Sequence, residues 1–142
     1  MSPLSRITHS EDETIEFGRR LARELPRRAV VLLTGNLGAG KTTLAKGIVS
    51  GLGAAAPEEV SSPTFTLIHE YGRGRVYHID LYRLDTAEQV ATLGLDEIFG
   101  RDALVLIEWG ERFPQLMPAD RIEIALRAED DTRKITVSPV SS

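Results

Sequence analysis

The chain has 142 residues, of which 42% are hydrophobic and 27% charged, an ordinary globular balance that disfavours disordered, collagen-like and coiled-coil readings. A domain of about this length buries roughly 68–70% of its unfolded surface, enough for one core and too little for two. The 17 Lys and Arg against 21 Asp and Glu leave a net charge of −4, which argues against affinity built by covering a nucleic-acid backbone with cations, so direct RNA binding is not expected.

There is no cysteine, which removes disulfides, thiolate metal sites and cysteine nucleophiles together and makes the cytoplasm the default compartment. The opening Met1-Ser2-Pro3-Leu4-Ser5-Arg6 carries no long apolar segment, and no stretch approaches the roughly 20 apolar residues that span a bilayer. In chain order, Ser10 with Glu13 reads as a capping box, and Ile15, Leu21, Ala22 and Leu25 recur at helical spacing until Pro26, predicting a helix over 11–25. Ala29-Val30-Val31-Leu32-Leu33-Thr34 lacks alternation and predicts a strand buried on both faces. A glycine-rich turn and a second helix from Thr42 to about Leu52 follow.

The small and polar stretch from Ala54 to Ser62 predicts a loop. Residues 64–71 and 75–82 predict an antiparallel hairpin turned by Gly72-Arg73-Gly74. Residues 86–99 predict short helices broken at Gly94, and Ala103-Leu104-Val105-Leu106-Ile107 a second buried strand ending in Glu108. Alternation in 121–127 and 133–137 predicts a half-exposed terminal hairpin with Glu129-Asp130-Asp131 in its turn. The sum is a single α/β domain over 1–142: a P-loop NTPase-like three-layer sandwich whose mixed sheet has a parallel centre and antiparallel additions.

The segment Gly35-Asn36-Leu37-Gly38-Ala39-Gly40-Lys41-Thr42 fits GxxxxGK[ST] between a buried strand and a helix. Its glycines let backbone N–H groups converge on phosphate oxygens, and the helix N-terminus adds its positive dipole end. Gly38, Ala39, Gly40 and Lys41 are expected to form that nest, with Lys41 bridging the β- and γ-phosphates, the Thr42 hydroxyl on Mg²⁺ and Thr43 near the α-phosphate. Hydrolysis also needs a carboxylate near the metal and a group that orients water. Two strand-end acids are candidates: Asp80 in His78-Ile79-Asp80-Leu81-Tyr82-Arg83, and Glu108, whose apolar approach has the stronger Walker-B character. His78 and Asp80 share a strand face, yet with three histidines and no cysteine a packed histidine is expected rather than a zinc site.

GNLGAGKTT, SSPTF, YHIDLYRL and LIEW, in that order and over most of the chain, resemble the TsaE (YjeE) family of tRNA threonylcarbamoyladenosine biosynthesis. The resemblance implies an ATPase that joins a TsaB–TsaD pair and supports, without performing, threonylcarbamoyl transfer to N6 of adenosine 37 in tRNAs reading ANN codons. It further implies that Lys41 and Thr42 hold phosphates and Mg²⁺, that Glu108 is a second metal-linked acid, and that Asp80 is the catalytic carboxylate. By the same resemblance Ser62-Pro63-Thr64 is a switch-like loop, Trp109 senses nucleotide or partner, and Glu11 and Arg133 lie near adenine. One departure stands out, since the family's usual Asp after the first P-loop glycine is Asn36 here. Other uses of the same loop are a small-molecule kinase, for which no arginine-rich lid insert is visible; a GTPase, for which no Asn-Lys-x-Asp motif appears; and a nucleotide-binding module without turnover.

Overall fold

The computed structural model describes residues 3–140, so Met1 and Ser2 of the opening segment lie outside the described residues. In chain order the elements are β1 (Leu4–Thr8), α1 (Glu11–Ala22), β2 (Ala29–Thr34), α2 (Lys41–Gly51), β3 (Ile68–Tyr71), β4 (Val76–Asp80), α3 (Ala87–Ala91), α4 (Leu95–Phe99), β5 (Leu104–Glu108), β6 (Arg121–Glu129) and β7 (Thr132–Val140). All strands join one seven-stranded sheet in the order β1-β7-β6-β2-β5-β4-β3. The inner strands β6, β2, β5 and β4 are mutually parallel, whereas β3 and β7 run against their neighbours. The parallel centre with antiparallel additions is as expected from the sequence.

Unbroken apolar runs put β2 and β5 in the middle, because each strand feeds both faces. Val31, Leu33, Leu104 and Leu106 join Leu21, Leu44 and Ile48 of α1 and α2 in one core. Their alternates Val30, Leu32, Val105 and Ile107 pack with Val90, Leu95 and Ile98 of α3 and α4 in the other. The result is a three-layer, P-loop NTPase-like α/β sandwich. Gly94 separates α3 from α4 in the left-handed conformation (φ 71°), at the break the sequence predicts.

Several boundaries differ from expectation. Helix α1 stops at Ala22 rather than residue 25, because the residue before Pro26 is disfavoured in helical geometry; Leu25 is buried all the same. Ser10 does cap α1 by accepting from Glu13 N–H, but the Glu13 carboxylate accepts from His9 N–H, one residue earlier than a capping box requires. Strand β3 begins at Ile68 rather than 64, since Leu67 turns left-handed (φ 70°) and donates its N–H to the Pro63 carbonyl. Strand β1 is absent from the sequence reading: its Ile7 is 53% exposed, and it is held by backbone pairing with β7 from Leu4↔Val137 to Thr8↔Arg133. The terminal hairpin forms with Asp130 and Asp131 in its turn and Glu129 as the last residue of β6, yet it is no peripheral addition, because β6 pairs directly with β2.

Helices α1 and α2 meet along glycines. A Cβ at Gly18 would lie 2.9 Å from the Gly47 Cα, and one at Gly47 would collide with the Ile15 carbonyl oxygen. Glycine inside a helix costs about 0.8–1.0 kcal/mol relative to alanine, so here propensity yields to close packing. Gly47→Ala, stabilising in an isolated helix, is expected to destabilise this protein by about 1–3 kcal/mol. Chemical denaturation with intrinsic fluorescence checks the sign, and an unchanged or raised midpoint contradicts the packing account.

Candidate functional site

The strand ends decide where chemistry collects. Leu33 of β2 pairs with Glu108 of β5, and Glu108 pairs with Asp80 of β4. Parallel register therefore lines up both acids with the strand that feeds the glycine loop, at the sheet's C-terminal edge, where ligands of open α/β sheets bind. A cavity of about 510 Å³ opens there.

Among the residues singled out from sequence, Gly38, Gly40, Lys41, Thr42, Thr43, Ser62, Thr64, Asp80, Glu108, Trp109, Glu11 and Arg133 all line this cavity. Ala39 and Pro63 do not: Ala39 is buried in the core beneath the loop, and Pro63 is buried with its carbonyl accepting from Leu67 N–H. Any contact of Ala39 with a ligand is therefore a backbone contact. Asn36 is exposed, and its carbonyl accepts from Ala39 N–H within the loop.

The glycine loop has the backbone its sequence demands. Gly35 has φ 146°, and a Cβ there would approach the Leu126 carbonyl oxygen of β6 to 2.5 Å; no other residue fits. Gly38 and Gly40 are left-handed at 78° and 101°. Gly40 is the N-cap of α2 and supplies no side-chain bond to it, so the first amides of α2 remain open to an anion. Arg133 lies alongside, its Nε 3.8 Å from where a Gly40 Cβ would stand.

Lys41 is nearly buried, at 5% exposure. Its ammonium donates to the Gly35 carbonyl at 2.7 Å and sits 3.6 Å from the centroid of the Trp109 ring. Burial pulls its pKa below the ordinary lysine value, opposed by the carboxylates of Glu108, Glu111 and Asp80. Trp109 is in the left-handed region (φ 67°), and its ring also packs on Tyr82 at 5.1 Å between centroids.

The two acids occupy different settings. Glu108 Oε2 accepts from the Thr42 hydroxyl at 3.1 Å and from His78 Nε2 at 2.6 Å. Asp80 Oδ2 accepts from Ser62 and Thr64 at 3.0 and 3.1 Å, while Oδ1 accepts from Tyr82 N–H at 2.8 Å. Asp80 thus gathers the Ser62-Pro63-Thr64 loop and Glu108 gathers the P-loop threonine. His78 is fully buried behind Glu108, with Nε2 directed at that carboxylate.

Some lining residues escaped the sequence reading. Tyr82 stands in the YHIDLYRL segment, where its aromatic character beside Asp80 is the available signal. In the sequence Asp130 and Asp131 mark only a turn, and nothing local connects them to the glycine loop; insertion of β6 beside β2 brings them there. Ser10, Thr14 and Leu37 complete the wall. No helix among the described residues is long and apolar enough to cross a membrane.

Comparison with known proteins places the chain in a family. The family model for threonylcarbamoyl adenosine biosynthesis protein TsaE matches residues 8–135. The tRNA threonylcarbamoyladenosine biosynthesis protein TsaE of Treponema pallidum (strain Nichols) is 40% identical over 134 residues, covering 93% of this chain and 98% of its own. Its counterpart in Bacillus subtilis (strain 168) is 39% identical over 145 residues, covering 100% of this chain and 89% of its own. The crystal structure of Bacillus subtilis YdiB superposes with a TM-score of 0.78 at 35% identity, covering 99% of this chain and 87% of that one. This chain belongs to the TsaE family, which serves the biosynthesis of threonylcarbamoyladenosine in tRNA.

Proposed function

We propose that this protein is a Mg²⁺-dependent ATPase that binds a TsaB–TsaD pair in the cytoplasm and supports threonylcarbamoyl addition to N6 of adenosine 37 in tRNAs reading ANN codons. Contact with tRNA is indirect, in keeping with the net charge of −4. The reading is carried by one observation: the loop Gly38–Thr43, the acid that holds Thr42 and the acid that holds Ser62 and Thr64 face a single cavity of about 510 Å³.

The residues present suit magnesium. Thr42 and Glu108 offer oxygen donors 3.1 Å apart, and Mg²⁺ is ordinarily held by one or two protein oxygens, with phosphate and water completing its shell. Bound there, the ion would neutralise charge on the terminal phosphates. The chain's own groups supply the remainder. The α2 amides and Lys41 bind the phosphates. To do so Lys41 exchanges the Gly35 carbonyl and the Trp109 face for phosphate oxygens, and its low-dielectric seat strengthens that attraction. Asp80 orients the attacking water and accepts its proton, while the Ser62 and Thr64 hydroxyls couple the switch-like loop to that carboxylate. Glu11 and Arg133, which line the same cavity, contact the adenine.

Two substitutions separate binding from turnover. Lys41→Ala is expected to weaken Mg-ADP binding by roughly 10–100-fold, the worth of a charge-assisted contact, while the thermal midpoint holds, because a desolvated charge is removed from the fold. Asp80→Asn is expected to retain Mg-ATP binding while phosphate release falls roughly 10²–10⁴-fold in the presence of TsaB and TsaD. Calorimetry and a phosphate-release assay read these effects; full turnover in Asp80→Asn would leave a different group as the base. The decisive test of the whole reading is calorimetric titration of ATP with Mg²⁺, with and without the partner pair, and no uptake at millimolar nucleotide would overturn it.

A further inference from the structure

A buried imidazole behind Glu108 has no part in the chemistry described so far. His78 lies on β4 with its side chain fully buried, and Glu108 is only 3% exposed. In the parallel register His78 pairs with Leu106, so Glu108, two residues further along β5, is its diagonal neighbour on the same sheet face, within reach of a long side chain. Its Nε2 stands 2.6 Å from Glu108 Oε2. Its other nitrogen, Nδ1, is buried and has no hydrogen-bond partner among the described residues. A carboxylate only accepts, so the shared proton sits on Nε2.

We propose that His78 is a positioning residue for metal-nucleotide binding: it anchors the Glu108 carboxylate through Oε2, so that Glu108 is already oriented toward the Thr42 hydroxyl when magnesium and nucleotide arrive. The inference rests on the reading of Thr42 and Glu108 as the magnesium side of the site. Oε2 is shared between His78 behind and Thr42 in front, whereas Oε1 makes no hydrogen bond to the described residues and the carboxylate lines the cavity. Without the imidazole, Glu108 would keep a single weak anchor on a side chain of three rotatable bonds, and each binding event would have to order it. Groups that orient a metal-linked acid in this way are typically worth 10–100-fold in metal affinity or activity.

The test is calorimetric titration of ADP into the full chain and its variants, once with excess Mg²⁺ and once with a chelator. The quantity read is the ratio of the two affinities. His78→Leu removes the donor, and that ratio is expected to fall roughly 10-fold or more while affinity in chelator stays at the wild-type value, which a merely structural lesion would not spare. His78→Gln places an amide N–H near the position of Nε2 and is expected to restore most of the ratio; His78→Asn, equally polar but too short to reach Glu108, is not. Should His78→Leu fail to fold, the Gln and Asn pair decides alone. An unchanged ratio in His78→Leu, or equal ratios in Gln and Asn, overturns the assignment while leaving the ATPase reading intact. Wild-type protein that takes up ADP without any benefit from magnesium overturns the inference together with the metal side of that reading, and absence of any nucleotide uptake sinks the proposed function itself.

Discussion

Everything at the site depends on strands that point the same way. β6, β2, β5 and β4 are parallel, and β1, antiparallel to β7, shares their direction. Five chain segments therefore leave the sheet at one edge: the glycine loop after Thr34, Glu108, Asp80, the Asp130-Asp131 turn, and the Ser10 cap that follows β1. Backbone pairing alone sets this coincidence, and side chains need only be chosen for what they meet there. A slip of one residue in β5 against β2 would turn Glu108 to the opposite face of the sheet, away from Thr42.

The two acids illustrate how order within the sheet separates roles. β5 lies next to β2, so its terminal acid reaches the first turn of α2, where Thr42 stands. β4 is one strand further out, so Asp80 reaches the Ser62–Thr64 segment instead. That segment is free to serve because β3 starts late: the left-handed Leu67 folds Thr64-Phe65-Thr66 back over the end of β4, and the Leu67 carbonyl then accepts from Asp80 N–H. Phe65 at the crest is 82% exposed, and Arg83 holds its carbonyl at 3.2 Å. Apart from the buried Pro63, the Ser62–Thr66 segment is thus tied to the sheet by hydrogen bonds rather than by apolar burial.

Charge burial at the site is balanced locally. Lys41, His78, Asp80 and Glu108 are all below a tenth exposed, and each has a partner: a carbonyl and an indole face for the lysine, hydroxyls and an amide for Asp80, an imidazole and a hydroxyl for Glu108. Buried polar groups are as a rule so satisfied, and His78 Nδ1 is the exception among the described residues. The lysine's partners are a backbone carbonyl and a ring face, neither of which carries a full opposite charge.

Sequence alone determined the parts in which neighbours in the chain are neighbours in space. The strand-loop-helix unit, the doubly buried β2 and β5, the break at Gly94 and the nest-forming glycines follow from apolar period and from conformations open only to glycine, so the P-loop and the identity of both acids were legible from local pattern. Lateral order was not. Alternation in β6 records that one sheet face is covered, and it carries no information on which strand lies beside it, so the hairpin's seat against β2 and the arrival of Asp130, Asp131 and Arg133 at the cavity had to wait for the fold. Nor could an apolar pattern reveal β1, which is held by backbone bonds with its Ile7 facing out. His78 marks the same boundary: the sequence supplies a histidine on a strand, and only the diagonal across two parallel strands makes it the partner of Glu108.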